Sequence, residues 1–152
     1  LPHGSLDPVA DADACRRVDV SIPIVKVDSE QRIVTGWAAL SADATGAPVI
    51  DYQGDYIPVE DLQKAAQQLM LEGGTGRAGN MHEGDSVGDI VEIAVLSPEI
   101  LKRLGYANAE GPAGLMVSMK IRDDAAWAAV KSGELSELSI GGVGERIPMG
   151  AA

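Results

Sequence analysis

The side chains able to do chemistry are few. Apart from His3, close to the N-terminus, His82 is the only imidazole, the one ordinary side chain that gains and loses a proton near neutral pH. It stands in Gly79-Asn80-Met81-His82-Glu83-Gly84-Asp85, among polar and turn-forming residues rather than core residues. By itself, a histidine so placed is ordinarily a surface or structural residue. Cys15 has no second cysteine to pair with and no histidine near it in sequence, so it is read as incidental. Ser139 lies in Glu137-Leu138-Ser139-Ile140-Gly141-Gly142. Strand alternation puts it on one side of a sheet, and the glycine pair permits close backbone approach, with amides that can face an oxyanion. The plain alternative is a strand end marked by two glycines.

Metal chemistry finds little support. One usable histidine and no thiolate pair cannot supply the nitrogen and sulfur ligands zinc normally takes. The acidic loops Asp51–Asp55 and Asp85–Asp89 superficially suggest calcium, but neither has the ligand order of a calcium-binding loop, and solvated turns explain them. No metal and no cofactor is expected.

The elements that must position these groups follow from periodicity. Val18 to Val27 alternates and is β-branched, with Pro23 marking an edge or a bulge, and Arg32 to Leu40 pairs with it as a hairpin in which Gly36 is a candidate bulge. Leu62, Ala65, Ala66, Leu69 and Met70 fall at helical spacing between Pro58 and Gly73-Gly74. Gly73 to Gly79 reads as a loop, followed by an apolar strand from Asp89 to Leu96. Ser97-Pro98-Glu99 opens a short helix as N-cap, N1 and N2. A strand from Gly114 to Ile121, a helix from Asp123 to Lys131 ended by Ser132-Gly133, and a strand from Leu135 to Ile140 complete the order. The fold class is therefore mainly β with α (α+β), a small closed or nearly closed β-barrel with about three peripheral helices.

Composition narrows the setting. The 152 residues favour one domain, expected over 18–146 between a lead-in (1–17) and a short tail (147–152). Leu1–Ser5 reads as a vector remnant, which leaves His3 without a role. Aromatics make up 3% and phenylalanine is absent, so aliphatic side chains must build the core. A net charge of -11 repels phosphate backbones, and no apolar run is long enough to span a bilayer, so neither nucleic acid nor membrane is an expected partner.

Several blocks, in order, carry a resemblance: SIPIVKVD with IVTGWA, DYQGDYIPVEDLQKAA, MHEGDSVGDIVE, and GLMVSMKIRDDAAWAAVKSGELSELSIGG. Together they resemble the phage prohead (capsid maturation) serine proteases of the XkdF-like branch, over Val20 to Gly144. The resemblance implies a herpesvirus-protease-like barrel in which His82 is the general base and Ser139 the nucleophile, with Ser136 outside the motif position. It implies oxyanion support from the amides of Gly141 and Gly142, with Arg146 a weaker candidate. It also implies self-cleavage, a homodimer, and phage scaffold and major capsid protein as substrates. The expected location is the bacterial host cytoplasm, inside the prohead.

The third catalytic member departs from the pattern. In related proteases it comes from a strand after the serine, and Glu145 is the only carboxylate there. Three readings stay open: a shortened chain, a self-processed product ending at Ala152, or a variant using an upstream acid. Asp51, Asp55 and Glu92 are the upstream candidates, and Asp55 is preferred because its Gly-Asp pair falls at a motif position. The rival to an endopeptidase is a non-catalytic barrel that binds scaffold or capsid protein as an assembly module.

Overall fold

A computed structural model describes residues 15–28, 30–51, 53–73, 78–80, 83–135, 137–145 and 147. The alternating, β-branched opening forms β1 (Cys15–Asp28), and β2 (Ile33–Ala42) returns beside it. Asp28 shapes the hairpin turn, its Oδ1 accepting from the amides of Glu30 at 3.1 Å and Gln31 at 3.0 Å. Then follow α1 (Val59–Leu71), β3 (Ala78–Asn80), β4 (Glu83–Leu96), α2 (Pro98–Arg103), β5 (Ala113–Ile121), α3 (Asp124–Ser132) and β6 (Glu137–Glu145). Both later helices start on side-chain caps, Ser97 as the sequence foretells and Asp123, read there as the first helical residue, one position ahead of α3. Ser97 Oγ accepts from the Ile100 amide at 3.1 Å with Pro98 following, and Asp123 Oδ1 accepts from the Ala126 amide at 2.7 Å. Gly133, left-handed at φ 81°, closes α3.

The strands lie in the order β3-β4-β5-β2-β1-β6, each neighbouring pair antiparallel. This is, among the described residues, a mixed α+β architecture with three helices. Among the described residues no ladder joins β6 to β3 or β4, so the pairing is that of an open sheet and the barrel expected from sequence is not closed by hydrogen bonds there. β1 has two partners in succession, β6 through Cys15–Pro23 and β2 through Ile24–Asp28. Pro23 sits at that handover, where a missing amide donor is tolerated, and the register slips between Ile24 and Lys26.

Three local expectations change. Gly36 is not a bulge: it pairs in register with Ile24 and Val117, and the irregularities of β2 fall at Trp37/Ala39 and Leu40/Ala42. β3 occupies the end of the segment that reads as loop, and β4 begins at Glu83, ahead of its apolar run. Glycines and charged residues hide both from a hydrophobic periodicity. In α1 only Leu62 is buried, whereas Met70 is 50% and Leu71 89% exposed. The helical stripe is real in sequence, but only Leu62 is fully covered, Ala66 packs partly against the core, and the last turn stands clear.

The core gathers Val34, Leu62, Leu115, Val117, Ile121 and Trp127 between the middle of the sheet and helices α1 and α3. Aliphatic side chains and one tryptophan carry it, as a chain without phenylalanine requires. At Gly88 and Gly114 the neighbouring strand comes so close that an added Cβ would run into the carbonyl oxygens of Lys120 and Ala39. A side chain there would push strands apart.

Candidate active site

Ser139 lies on β6, paired with Ser21 of β1, and Gly141 and Gly142 follow on the same strand, opposite Asp19 and Val18. In an antiparallel ladder successive residues turn their N–H and C=O groups to opposite sides. Only one amide of the glycine pair therefore faces away from β1. That strand offers one outward donor from the two, not both.

His82 lies outside the described residues, as do Ser136, Arg146 and His3. Its neighbours in sequence are informative: Asn80 ends β3, Glu83 opens β4, and these two pair with each other. The ladder can be followed from one edge to the other. Ser139 pairs with Ser21, three residues before Ile24, and Ile24, Gly36, Val117 and Ile93 form one row across β1, β2, β5 and β4. Ser139 is thus level with Leu96, whereas His82 adjoins Glu83, and these are the two ends of β4, a 14-residue strand about 45 Å long. The ladder by itself does not bring the two positions together.

The acids expected to orient the histidine fall in different places. Asp51 and Asp55 belong to the loop before α1, and there Asp51 Oδ1 accepts from the amides of Gln53 and Asp55, both at 2.8 Å. Asp51 Oδ2 is buried without a hydrogen-bond partner among the described residues. The loop is fastened to the far end of β2, where Ser41 Oγ donates to Tyr56 Oη at 3.2 Å. That is the end of the sheet at which Leu96 lies. Glu145 closes β6 itself, six residues and about 20 Å along the strand from Ser139.

Glu92 is engaged elsewhere. It accepts from Ser118 Oγ at 2.5 Å, and Thr35 Oγ1 stands 2.8 Å from the same Ser118 oxygen. Ser118 has no exposed surface and its single hydrogen goes to the carboxylate, so Thr35 is the donor to Ser118. The sequence reading missed this polar row across β2, β5 and β4. Its signal was a polar residue amid the apolar run of each strand, Thr35, Ser118 and Glu92.

The Glu83 half of β4 borders a polar cleft of about 370 Å³, lined by Ser86, Gly88, Asp89, Arg122 and Asp123 among others. Arg122 pairs with Asp89 across it. Among the described residues no three His, Cys, Asp or Glu side chains converge to hold a metal ion, and no helix is long and apolar enough to cross a membrane.

A strand-borne serine followed by a glycine pair belongs here to a chain whose residues 19–148 match a family model, and the class that match defines is a phage serine protease. The family is described as "Putative phage serine protease XkdF", and the chain belongs to it. No curated protein and no solved structure matches the chain.

Proposed function

We propose that the protein is a capsid maturation endopeptidase that cleaves scaffold and capsid segments, and itself, inside the phage prohead in the host cytoplasm. Ser139 is the nucleophile and His82 its general base. The observation that carries this reading is the family match, whose span of residues 19–148 includes both positions. His82 takes the Ser139 proton as Oγ attacks the scissile carbonyl, then gives it to the leaving amine; water releases the acyl group by the same route in reverse. The outward amide of the Gly141-Gly142 pair supports the oxyanion. Asp55 is the preferred third member, holding the imidazole in its productive tautomer.

The site requires the sheet to curl until its edges meet, as in a herpesvirus-protease-like barrel. Closing a barrel demands that the seam be staggered along the strands. A seam that sets the Ser139 row of β6 beside β3, which covers the Glu83 end of β4, unites the two positions, and the split pairing and register slip of β1 supply a place for the sheet to turn.

Fluorophosphonate labelling tests the reading. The intact protein is expected to label at one site, with labelling abolished in Ser139→Ala and strongly reduced in His82→Ala. A folded protein that takes no label would instead be an assembly module on a protease framework.

A further inference from the structure

Helix α1 stands off from the sheet toward its C-terminal end, where Met70 and Leu71 remain exposed. The gap is an open groove of about 590 Å³, with Gln63, Ala66 and Met70 on the helix wall and Ile93, Ala94 and Val95 on the strand wall. Those three strand residues are consecutive, so their side chains alternate between the two faces of the sheet. Among the described residues β4 is the outermost strand at this level, beyond its pairs with β3, so the groove opens beside its outer edge. On that side β4 pairs, among the described residues, with β3 alone, through Glu83, Ser86 and Gly88. Among the described residues no strand or loop backbone bonds to the outer edge from Ile90 to Leu96.

An open strand edge is completed by another backbone with N–H and C=O groups at strand spacing. The helix wall selects what that backbone carries: Ala66 and Met70 are apolar, and Gln63 and Gln67 add neutral amides. The open edge runs over Ile90 to Leu96, about 23 Å of backbone, a length that a short extended segment fills by itself. The net charge of -11 favours basic flanks on that segment.

We infer that the groove between α1 and the edge of β4 binds an extended peptide with alternating aliphatic side chains by strand addition. Resting on the peptidase reading, it makes this the place where the substrate chain is held, on the strand that leads back to His82.

The test uses the Ser139→Ala protein, so binding is read without turnover, while labelling of the unaltered protein reports separately on the nucleophile. The probe is a fluorescein-labelled peptide of alternating leucine and threonine with a lysine at each end, followed by fluorescence anisotropy. Saturable binding is expected, weakened about tenfold or more by Met70→Asp and by N-methylation of alternate peptide bonds. Met70 is half exposed, so that variant should fold, and its melting temperature checks this. No saturable binding, or binding indifferent to N-methylation, overturns the inference even if Ser139 labels normally. Sedimentation showing a dimer that Met70→Asp converts to monomer would make a second copy the occupant and would equally overturn it.

Discussion

Ser118, with no exposed surface, donates its hydroxyl to Glu92 at 2.5 Å across the β4–β5 ladder while accepting from Thr35 on its other side. The three residues form one polar row through the middle of the sheet, and the buried hydroxyl is satisfied only while both neighbours are present. Ser118→Ala removes the shared member and leaves Thr35 without its acceptor. The expected loss is about 1–3 kcal/mol in chemical denaturation. Glu92→Gln keeps an acceptor for the serine and should cost less than Ser118→Ala; an equal or greater loss would mean that the carboxylate charge, not the row, is what matters.

Asp43 sits in a tight turn where its Oδ1 accepts from the Thr45 hydroxyl at 2.6 Å and the Thr45 amide at 2.8 Å. These bonds, the hydroxyl first, hold its carboxyl below the ordinary 3.8, with the Ala47 and Gly46 amides adding to the effect and slight burial opposing it. A lowered folded-state value means that the contribution is present above the unfolded value and is lost as pH falls through the folded one. Thr45→Val should move the Asp43 titration upward, followed by carboxyl-carbon NMR. An unchanged midpoint would show that the backbone amides alone set it.

Gly88 and Gly114 should not tolerate a methyl group. At each, the new Cβ meets a backbone carbonyl of the adjacent strand, Lys120 or Ala39, which cannot rotate out of the way as a side chain could. Gly88→Ala and Gly114→Ala are each expected to cost roughly 1–3 kcal/mol, measured as a lowered denaturation midpoint. Midpoints within error of the unaltered protein would mean that the strands separate freely at these points.

What the sequence made legible follows from how each feature is encoded. Ser97-Pro98-Glu99 is a helix signal that acts over three or four residues, and α2 begins where it stands; α3, read from Asp123, begins one residue later because Asp123 serves as its cap. The apolar core of β2 and β5 was equally plain, since alternation is a local pattern. β3 and the start of β4 were not legible, because Ala78, Gly79 and Asn80, and Glu83, Gly84 and Asp85, carry no apolar alternation that a local pattern could show. The half-buried α1 escaped for a related reason: periodicity shows that a helix has an apolar stripe, not how much of it a sheet will cover. Ser139 was placed correctly on a strand, but its row depends on the register of three other strands, and no single segment contains that information.

A general base of imidazole type imposes a pH profile on the labelling reaction. An imidazolium cannot accept the serine proton, so the rate of fluorophosphonate labelling should fall as pH drops below about 6 to 7. The measurement is the initial labelling rate from pH 5 to 9, with circular dichroism at each point to confirm the fold. A flat profile across that window would remove His82 from the role of base.

The staggered seam can be tested without any chemistry at the site. Two cysteines form an unstrained disulfide only when their Cα atoms lie about 4.4–6.8 Å apart. In a Cys15→Ser background, which removes the only native thiol, His82→Cys combined with Ser139→Cys should oxidise to an intramolecular disulfide under mild conditions, seen as faster migration on a non-reducing gel. A control pair, His82→Cys with Leu96→Cys, joins the two ends of β4 and should stay reduced, because a continuous strand of about 45 Å holds them apart. If neither pair closes while the protein remains folded, the Cα atoms at positions 82 and 139 do not come within disulfide reach, and the labelling rate of His82→Ala then decides whether the longer imidazole still reaches Ser139.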